Sequence, residues 1–346
     1  MGDVPPDHTL DTSAIGTRLG IDEEAWLQDL ADAGPLPGGL HLPAGEQLKA
    51  TLRRLGFADA DIEEVARAAP DPYRTPELWW LLERCAHLTI RTVGRWEEAT
   101  GPWPAPAAAL GAEGRCFWIY VYLAALPHIR RWHQERGVPD EVSWATLADL
   151  GRHVARYRRR FGVSGLDSVG WLRLHFSGGI YALGRLQFNL FRLQTAGAGP
   201  RFWYEPGDTR ADEPGFRRGD PVLGMHIPES GPLDPDACEA SLRRVRSFFP
   251  RYFPEHKFRI IVCTSWLLDD QLARYLSPAS NIIRFQKRFH LVPGGWDGDH
   301  DIVWFVYHRP PEAMDELEPR STLERAIVDH VRSGRHWRVR TGWLEP

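Results

Sequence analysis

The sequence predicts an α+β / α/β protein in two parts, a mostly helical N-terminal domain over residues 1–162 and a mixed-sheet domain over residues 163–346. Three observations carry this. The chain has 346 residues, and single cores usually divide above roughly 250. Up to Arg160 it reads as helix-length segments broken by proline and glycine, with no run of strand period. Beyond Gly162 come short alternating or apolar runs separated by turn residues.

In the front half, Asp22-Glu23-Glu24 puts carboxylates where a helix N-terminus favours them, and the Pro/Gly cluster from Gly34 to Gly39 ends that helix. Glu46 to Leu55 is a second helix, stopped by Gly56. Asp59 to Ala69 is a third, ended by Pro70-Asp71-Pro72. Thr75 as N-cap with Pro76 in the first turn starts a long apolar helix towards Trp96. Gly101 to Gly114 is a Pro/Ala/Gly loop, Arg115 to Gln134 an apolar and aromatic helix, and Ser143 to Phe161 a last one.

In the back half, Trp171–Phe176 and Leu183–Leu190 alternate with period two. That pattern sends Leu172, Leu174, Phe176, Leu186, Phe188 and Leu190 into a core. Arg173, His175, Arg185, Gln187 and Asn189 fall on the opposite face, where their donors suit a substrate. A loop with Gly197, Gly199, Gly207 and Gly215 leads to a strand at Val222–Ile227 and a turn at Pro228–Leu233. Asp234-Pro235-Asp236 then opens a helix to about Phe249. Lys257 to Ser265 reads as a buried strand, and strand–helix–strand implies a parallel crossover or its splayed equivalent. Asp269 to Leu276 is a short helix, and Asn281 to Leu291 fits either helix or strand. Asp301 to His308 reads as a strand, Ser321 to Val331 as a helix and Trp337 to Leu344 as a final strand.

Net charge is −4; the chain up to Ser164 carries 18 basic and 23 acidic residues, the remainder 24 and 23. Neither half has the basic excess of a general nucleic-acid or anionic-membrane binder. The local exception, Arg152 to Arg160, suits either a solvated helix face pairing with the acidic front half or a phosphate-bearing partner. No apolar run reaches the ~20 residues of a membrane helix, and Met1 to Ile21 lacks a basic-then-apolar leader, so a cytoplasmic protein without membrane contact is expected. Cys85, Cys116, Cys238 and Cys263 stand singly in apolar surroundings, as buried thiols do. Asp297-Gly298-Asp299-His300-Asp301 has metal-ligand residue types, but its Gly294-Gly295 context reads as an exposed turn and no metal is expected.

Four strings resemble a known group. They are Leu183-Gly184-Arg185-Leu186-Gln187-Phe188; His226-Ile227-Pro228 with Gly231-Pro232-Leu233; Cys263-Thr264-Ser265-Trp266-Leu267-Leu268-Asp269; and Ser280-Asn281-Ile282 followed by Phe285. With the element order, they make nearly the whole chain similar to bacterial acyltransferase-domain proteins that join a helical N-acyltransferase N-terminal domain to a GNAT-like C-terminal domain. The resemblance implies an N-acyltransferase, with acyl-CoA as the default co-substrate and a small-molecule amine as acceptor. It also places the strand ending at His226 beside the donor's pantetheine arm, with Met225, Ile227 and Gly231 as donor-binding positions. One departure concerns the phosphate loop. GNAT enzymes commonly use a Gln/Arg-x-x-Gly-x-Gly/Ala turn, whereas Glu229 to Asp236 has two prolines without N–H groups and three carboxylates. An acyl carrier protein or an aminoacyl-tRNA, met by Arg152 to Arg160, therefore stays open as donor, as does a non-catalytic ligand-binding module.

Amide formation by direct attack needs a base for the amine proton, a dipole for the tetrahedral oxyanion and an acid for the leaving thiolate. His226 is the preferred base and Glu229 the second candidate; each also suits an ordinary structural place. Cys263 offers a covalent route, although a cysteine ending a buried strand also reads as core. Ser265 suits an oxyanion donor and Trp266 an acyl-pocket wall. Arg185, Gln187, Asn189 and Asn281 are acceptor-binding candidates, Asn281 being equally suited to capping a helix.

Overall fold

The computed structural model describes residues 11–98, 103–106, 110–193, 216, 219–308 and 317–346. The predicted glycine loop around Gly197 to Gly215 lies outside the described residues, as does part of the Gly101 to Gly114 loop. Two compact units divide after Tyr181. The change of texture at Gly162 therefore precedes the structural boundary.

Among its described residues the first unit is helical: α1 (Thr12–Leu19), α2 (Glu24–Ala33), α3 (Gly45–Arg54), α4 (Asp59–Arg67), α5 (Pro76–Arg91), α6 (Gly111–Glu135), α7 (Asp140–Leu147), α8 (Asp149–Phe161) and α9 (Val169–Phe176). The core runs through α6, whose Phe117, Trp118, Ile119, Tyr120, Val121 and Tyr122 are all buried. A helix apolar on every side belongs in the middle of its neighbours. Tyr120 and Tyr122 keep their hydroxyls satisfied there, donating at 2.7 Å to the carbonyls of Val65 and Val169.

Three readings are corrected in this region. Ser143 to Phe161 is two helices parted at Ala148. Thr75 precedes α5 without a side-chain cap, its hydroxyl donating back to the Asp71 carbonyl at 3.1 Å. Trp171–Phe176 is not a strand but the body of α9. Its buried residues include Val169, Leu172, Arg173 and Phe176, which follow the helical spacing of three and four. The alternation misled because two polar residues point inwards: Arg173 stacks over Trp103 at 4.3 Å and the fully buried His175 meets Asp149 at 3.0 Å.

The boundary falls inside β1 (Ile180–Ala182). The second unit then contains β2 (Gln187–Arg192), β3 (Pro221–His226), α10 (Pro235–Tyr252), β4 (Ile261–Ser265), α11 (Asn281–Gln286), β5 (His290–Leu291), β6 (Trp296–Asp297), α12 (Asp299–Tyr307), α13 (Thr322–Arg332) and β7 (Arg338–Leu344). From β2 onward the sheet order is β2-β3-β4-β7-β5, with β6 also on β7. The pairs are antiparallel except β3 with β4, which is parallel and joined through α10. Asp234 caps α10 by accepting from the Ala237 N–H at 2.8 Å, with Pro235 at the first position. A reciprocal capping box between Ser321 and Glu324 starts α13.

Residues 281–291 resolve into α11 followed by β5. The predicted strand at Asp301–His308 is instead helix α12. Ile302, Val303, Val306 and Tyr307 share one stripe against Trp337 and α13's Ile327 and Val328, so tertiary burial overrides the β-branched and aromatic composition. Among the described residues no helix is long and apolar enough to cross a membrane.

Candidate active site

Strands β3 and β4 pair in register through Leu223↔Ile261, Gly224↔Val262 and Met225↔Cys263. Beyond that point each continues with a different partner, His226 against Gln187 on β2, and Thr264 and Ser265 against Thr341 and Arg340 on β7. The two parallel strands thus part at their C-terminal ends, between His226 and Thr264. The parallel ladder ends there, and ligands of open α/β sheets bind at the carboxyl ends of parallel strands.

On one face of the sheet the antiparallel register puts Gln187 opposite His226 and Asn189 opposite Gly224. The predicted exposed donor face is in fact covered: Gln187 and Asn189 are both buried. Asn189 Oδ1 lies 2.8 Å from His226 Nε2. Among the described residues the Gln187 side-chain nitrogen is buried without a hydrogen-bond partner, a costly state that a ligand oxygen would relieve.

Arg185 has a different place from the one expected. Its Nε donates to the Pro232 carbonyl at 2.9 Å, Nη1 to Pro228 at 3.0 Å and Nη2 to Gly231 at 2.7 Å. Three of its five donors are committed to the turn between β3 and α10, so it shapes that turn. Gly231 takes part with φ 111°, a conformation that only glycine adopts without strain. Glu229, half exposed, meets His308 Nε2 at 3.1 Å; His308 closes α12 in the left-handed conformation. Of the donor-binding positions, Met225 is buried in the paired part of β3, and Ile227 follows the strand end.

The strand-end residues of β4 also sort themselves. Burial pushes the Cys263 thiol up to about 12, so it is protonated near neutrality and a poor nucleophile. Cys263→Ala is therefore expected to leave the rate unchanged, with no acyl-protein adduct in intact-mass spectra of either form; a trapped adduct on Cys263 would reinstate the covalent route. Ser265 Oγ accepts from the Leu267 N–H at 3.1 Å, capping a short 3-10 turn and keeping its own proton for another acceptor. Trp266 is buried in the cluster of Leu272, Leu276 and Ile283. Asn281 is the first residue of α11, while the cap is Ser280, whose hydroxyl accepts from the Ile283 N–H at 3.4 Å.

Four arginines of the basic stretch pair inside the first unit. Arg152 bonds Asp149 at 2.6 Å, Arg156 meets Asp167 at 3.4 Å, Arg158 bonds Asp61 at 2.5 Å and Glu64 at 2.7 Å, and Arg160 reaches Asp167 at 3.8 Å. These pairs engage Arg152, Arg156, Arg158 and Arg160 with acidic groups of the first unit. The Asp297–Asp301 turn does bring Asp297, Asp299 and His336 within 4.8 Å of one another. Asp299 is occupied there in anchoring β7, accepting from the Trp337 N–H at 2.8 Å and meeting His336 Nδ1 at 2.7 Å.

Gly224 and His308 were not singled out as site residues from the sequence. A glycine inside the strand Val222–His226 is the kind of signal that marks a close approach; His308 has no such local mark.

A helical unit followed by a mixed sheet whose parallel strands part beside a histidine defines an acyl-transfer scaffold of the GNAT-like class. Residues 46–178 match the N-acyltransferase N-terminal domain and residues 180–344 the GNAT-like C-terminal domain. Among solved structures, an acyltransferase in complex with decanoyl-CoA and teicoplanin is 41% identical over 97% of this chain and 99% of that one, with a TM-score of 0.86. An acyltransferase with CoA and 10C-teicoplanin is 40% identical over the same shares (TM-score 0.87), as is an acyltransferase mutant with octanoyl-CoA (TM-score 0.86). Among curated proteins no relative matches. The chain belongs to this family of acyltransferases, N-acyltransferase domain in front and GNAT-like domain behind.

Proposed function

We propose that the protein transfers a medium-length fatty acyl group from coenzyme A to a free amine on a glycopeptide of the teicoplanin class. The observation that carries this is the full-length likeness, at 41% identity, to an acyltransferase holding decanoyl-CoA together with teicoplanin. The parting of β3 and β4 beside His226 supports it by supplying an opening at the sheet's carboxyl end.

In this reading His226 takes the amine proton as the nitrogen attacks the thioester carbonyl. A C–N bond forms, the tetrahedral intermediate collapses, the C–S bond breaks and the coenzyme A thiolate leaves to be protonated. Ser265 retains a hydroxyl proton for the developing oxyanion, and the unpartnered Gln187 amide offers a donor to a substrate oxygen. Glu229, on the turn after the strand and steadied by His308, is the second candidate base. Direct attack is favoured over acyl-enzyme formation because Cys263 is a buried neutral thiol.

The test is incubation with octanoyl- or decanoyl-CoA and a teicoplanin-type glycopeptide bearing a free amine. The expected result is a product heavier by one acyl group, formed with one equivalent of free coenzyme A. Stable binding of acyl-CoA with no acylated product from any such acceptor would overturn the acceptor assignment, and no binding of acyl-CoA would overturn the donor.

A further inference from the structure

We infer that Asn189 is a positioning residue that holds His226 in one tautomer, with the proton on Nε2, and that Gly224 is glycine because the Asn189 amide fills the space of a side chain there. The inference rests on the reading of His226 as the base.

The hydrogen bonds orient the amide without ambiguity. Asn189 Nδ2 donates to the Leu190 carbonyl at 3.1 Å. A carbonyl only accepts, so the nitrogen end of the amide is the one that faces it, and the oxygen end faces His226 Nε2 at 2.8 Å. That oxygen also only accepts, so Nε2 must carry the hydrogen. A neutral imidazole has one N–H, and its lone pair is then on Nδ1, which becomes the basic atom.

Space on the sheet enforces the same arrangement. Asn189 and Gly224 are opposite one another in the β2–β3 register. A Cβ built on Gly224 would fall well inside the contact distance of Asn189 Oδ1 and 3.4 Å from His226 Nε2. Gly224 does not have the left-handed backbone that by itself calls for glycine. The requirement is therefore room for the amide. Gln187, opposite His226, is uncharged; the charged groups of the following turn are Glu229, bonded to His308 from the end of α12, and Asp234, which caps α10, while Arg185 is held against the turn by three carbonyls.

The first measurement uses the unaltered protein. Long-range proton–nitrogen correlation on 15N-histidine-labelled material, with His226 assigned through His226→Gln, should show protonated Nε2 and unprotonated Nδ1 in the neutral ring; the opposite pattern overturns the inference. The second uses Asn189→Asp, whose carboxylate facing the Nε2 hydrogen favours imidazolium. The acidic limb of kcat/KM should move to higher pH while KM for acyl-CoA stays constant, and an unmoved limb in a folded variant counts against the inference. Third, Gly224→Ala should lower kcat by roughly 10- to 100-fold, part of the ~10²–10⁴ contributed by general-base catalysis, and should cost little more once Asn189→Ala is present. Equal costs in both backgrounds would overturn the account of Gly224. Full activity of His226→Ala, in contrast, removes the role of the base and leaves the tautomer result standing by itself.

Discussion

Replacing His226 with alanine is expected to lower kcat/KM for amine acylation by about 10²- to 10⁴-fold, or ~3–5 kcal/mol of transition-state stabilisation. The affinity for acyl-CoA should not change, because the side chain acts on the acceptor's proton and not on the donor. The cause is specific. An amine attacks a thioester only as the neutral species, and the proton it sheds must move to a group placed beside the carbonyl. His226 ends β3 at the point where β3 and β4 cease to pair. It is also anchored through Nε2 by Asn189 at 2.8 Å, which restricts the ring to a fixed direction. Steady-state kinetics together with calorimetric titration of decanoyl-CoA separate the two effects. If His226→Ala keeps its rate and Glu229→Gln loses it, the base is Glu229; parallel loss of acyl-CoA binding in His226→Ala would mean that His226 holds the donor.

The charge on the turn between β3 and α10 shows why residue types alone understate what a segment can do. Counted along the sequence, Glu229, Asp234 and Asp236 oppose a pyrophosphate. In the fold, Asp234 is committed to the α10 cap and Glu229 to His308, while Arg185 lies against the same turn with its guanidinium bonded to three carbonyls. Two of the three carboxylates are thus already engaged, and a cation that belongs to the preceding β2 approach is added. Family members with coenzyme A or its esters bound are consistent with that balance.

Much of the architecture was legible because its signals are local. Asp234-Pro235 caps α10, and the apolar length of residues 115–134 places α6 in the centre of the first unit. The errors fall where long-range partners reverse a local sign. In α9 the polar residues Arg173 and His175 are inward because Trp103 and Asp149 receive them, and a binary pattern cannot know that. In α12 the β-formers Ile302, Val303 and Val306 become a helical stripe once Trp337 and α13 supply the opposing surface. At the candidate site His226 was legible as a strand-end histidine. Its anchoring by Asn189 depends on the β2–β3 register, which no single strand encodes.

Asp149→Asn is expected to cost about 3–5 kcal/mol of folding stability, the usual penalty for breaking one side of a buried charge pair. Asp149 begins α8 and is only 2% exposed. It nevertheless receives the Trp171 indole N–H at 2.8 Å and Arg152 Nε at 2.6 Å, and lies 3.0 Å from His175 and 3.4 Å from His153. Burial alone would raise its carboxyl, but the charge of His175, the bonds from His153 and His175 and the charge of Arg152 more than reverse that, and hold it far below the ordinary carboxylate range. An amide of the same shape removes the charge and turns an N–H2 group towards one of these donors. The sign of the pH dependence follows from the depressed value. Between that value and the unfolded carboxylate near ~4 the unfolded chain binds the extra proton, so stability from Asp149 is complete above about pH 4 and declines as pH falls below it. Burial also lowers His153, against its own hydrogen bond to the Asp149 carboxylate, and so adds a loss of the same sign as pH falls below the ordinary histidine value of ~6.5. Urea unfolding at a series of pH values should show a lower midpoint for Asp149→Asn at pH 7 and a gap between variant and wild type that narrows in acid below about pH 4. An unchanged midpoint at pH 7 would mean that the four donors find water or one another equally well without the carboxylate, and that the cluster does not hold α8 to α9.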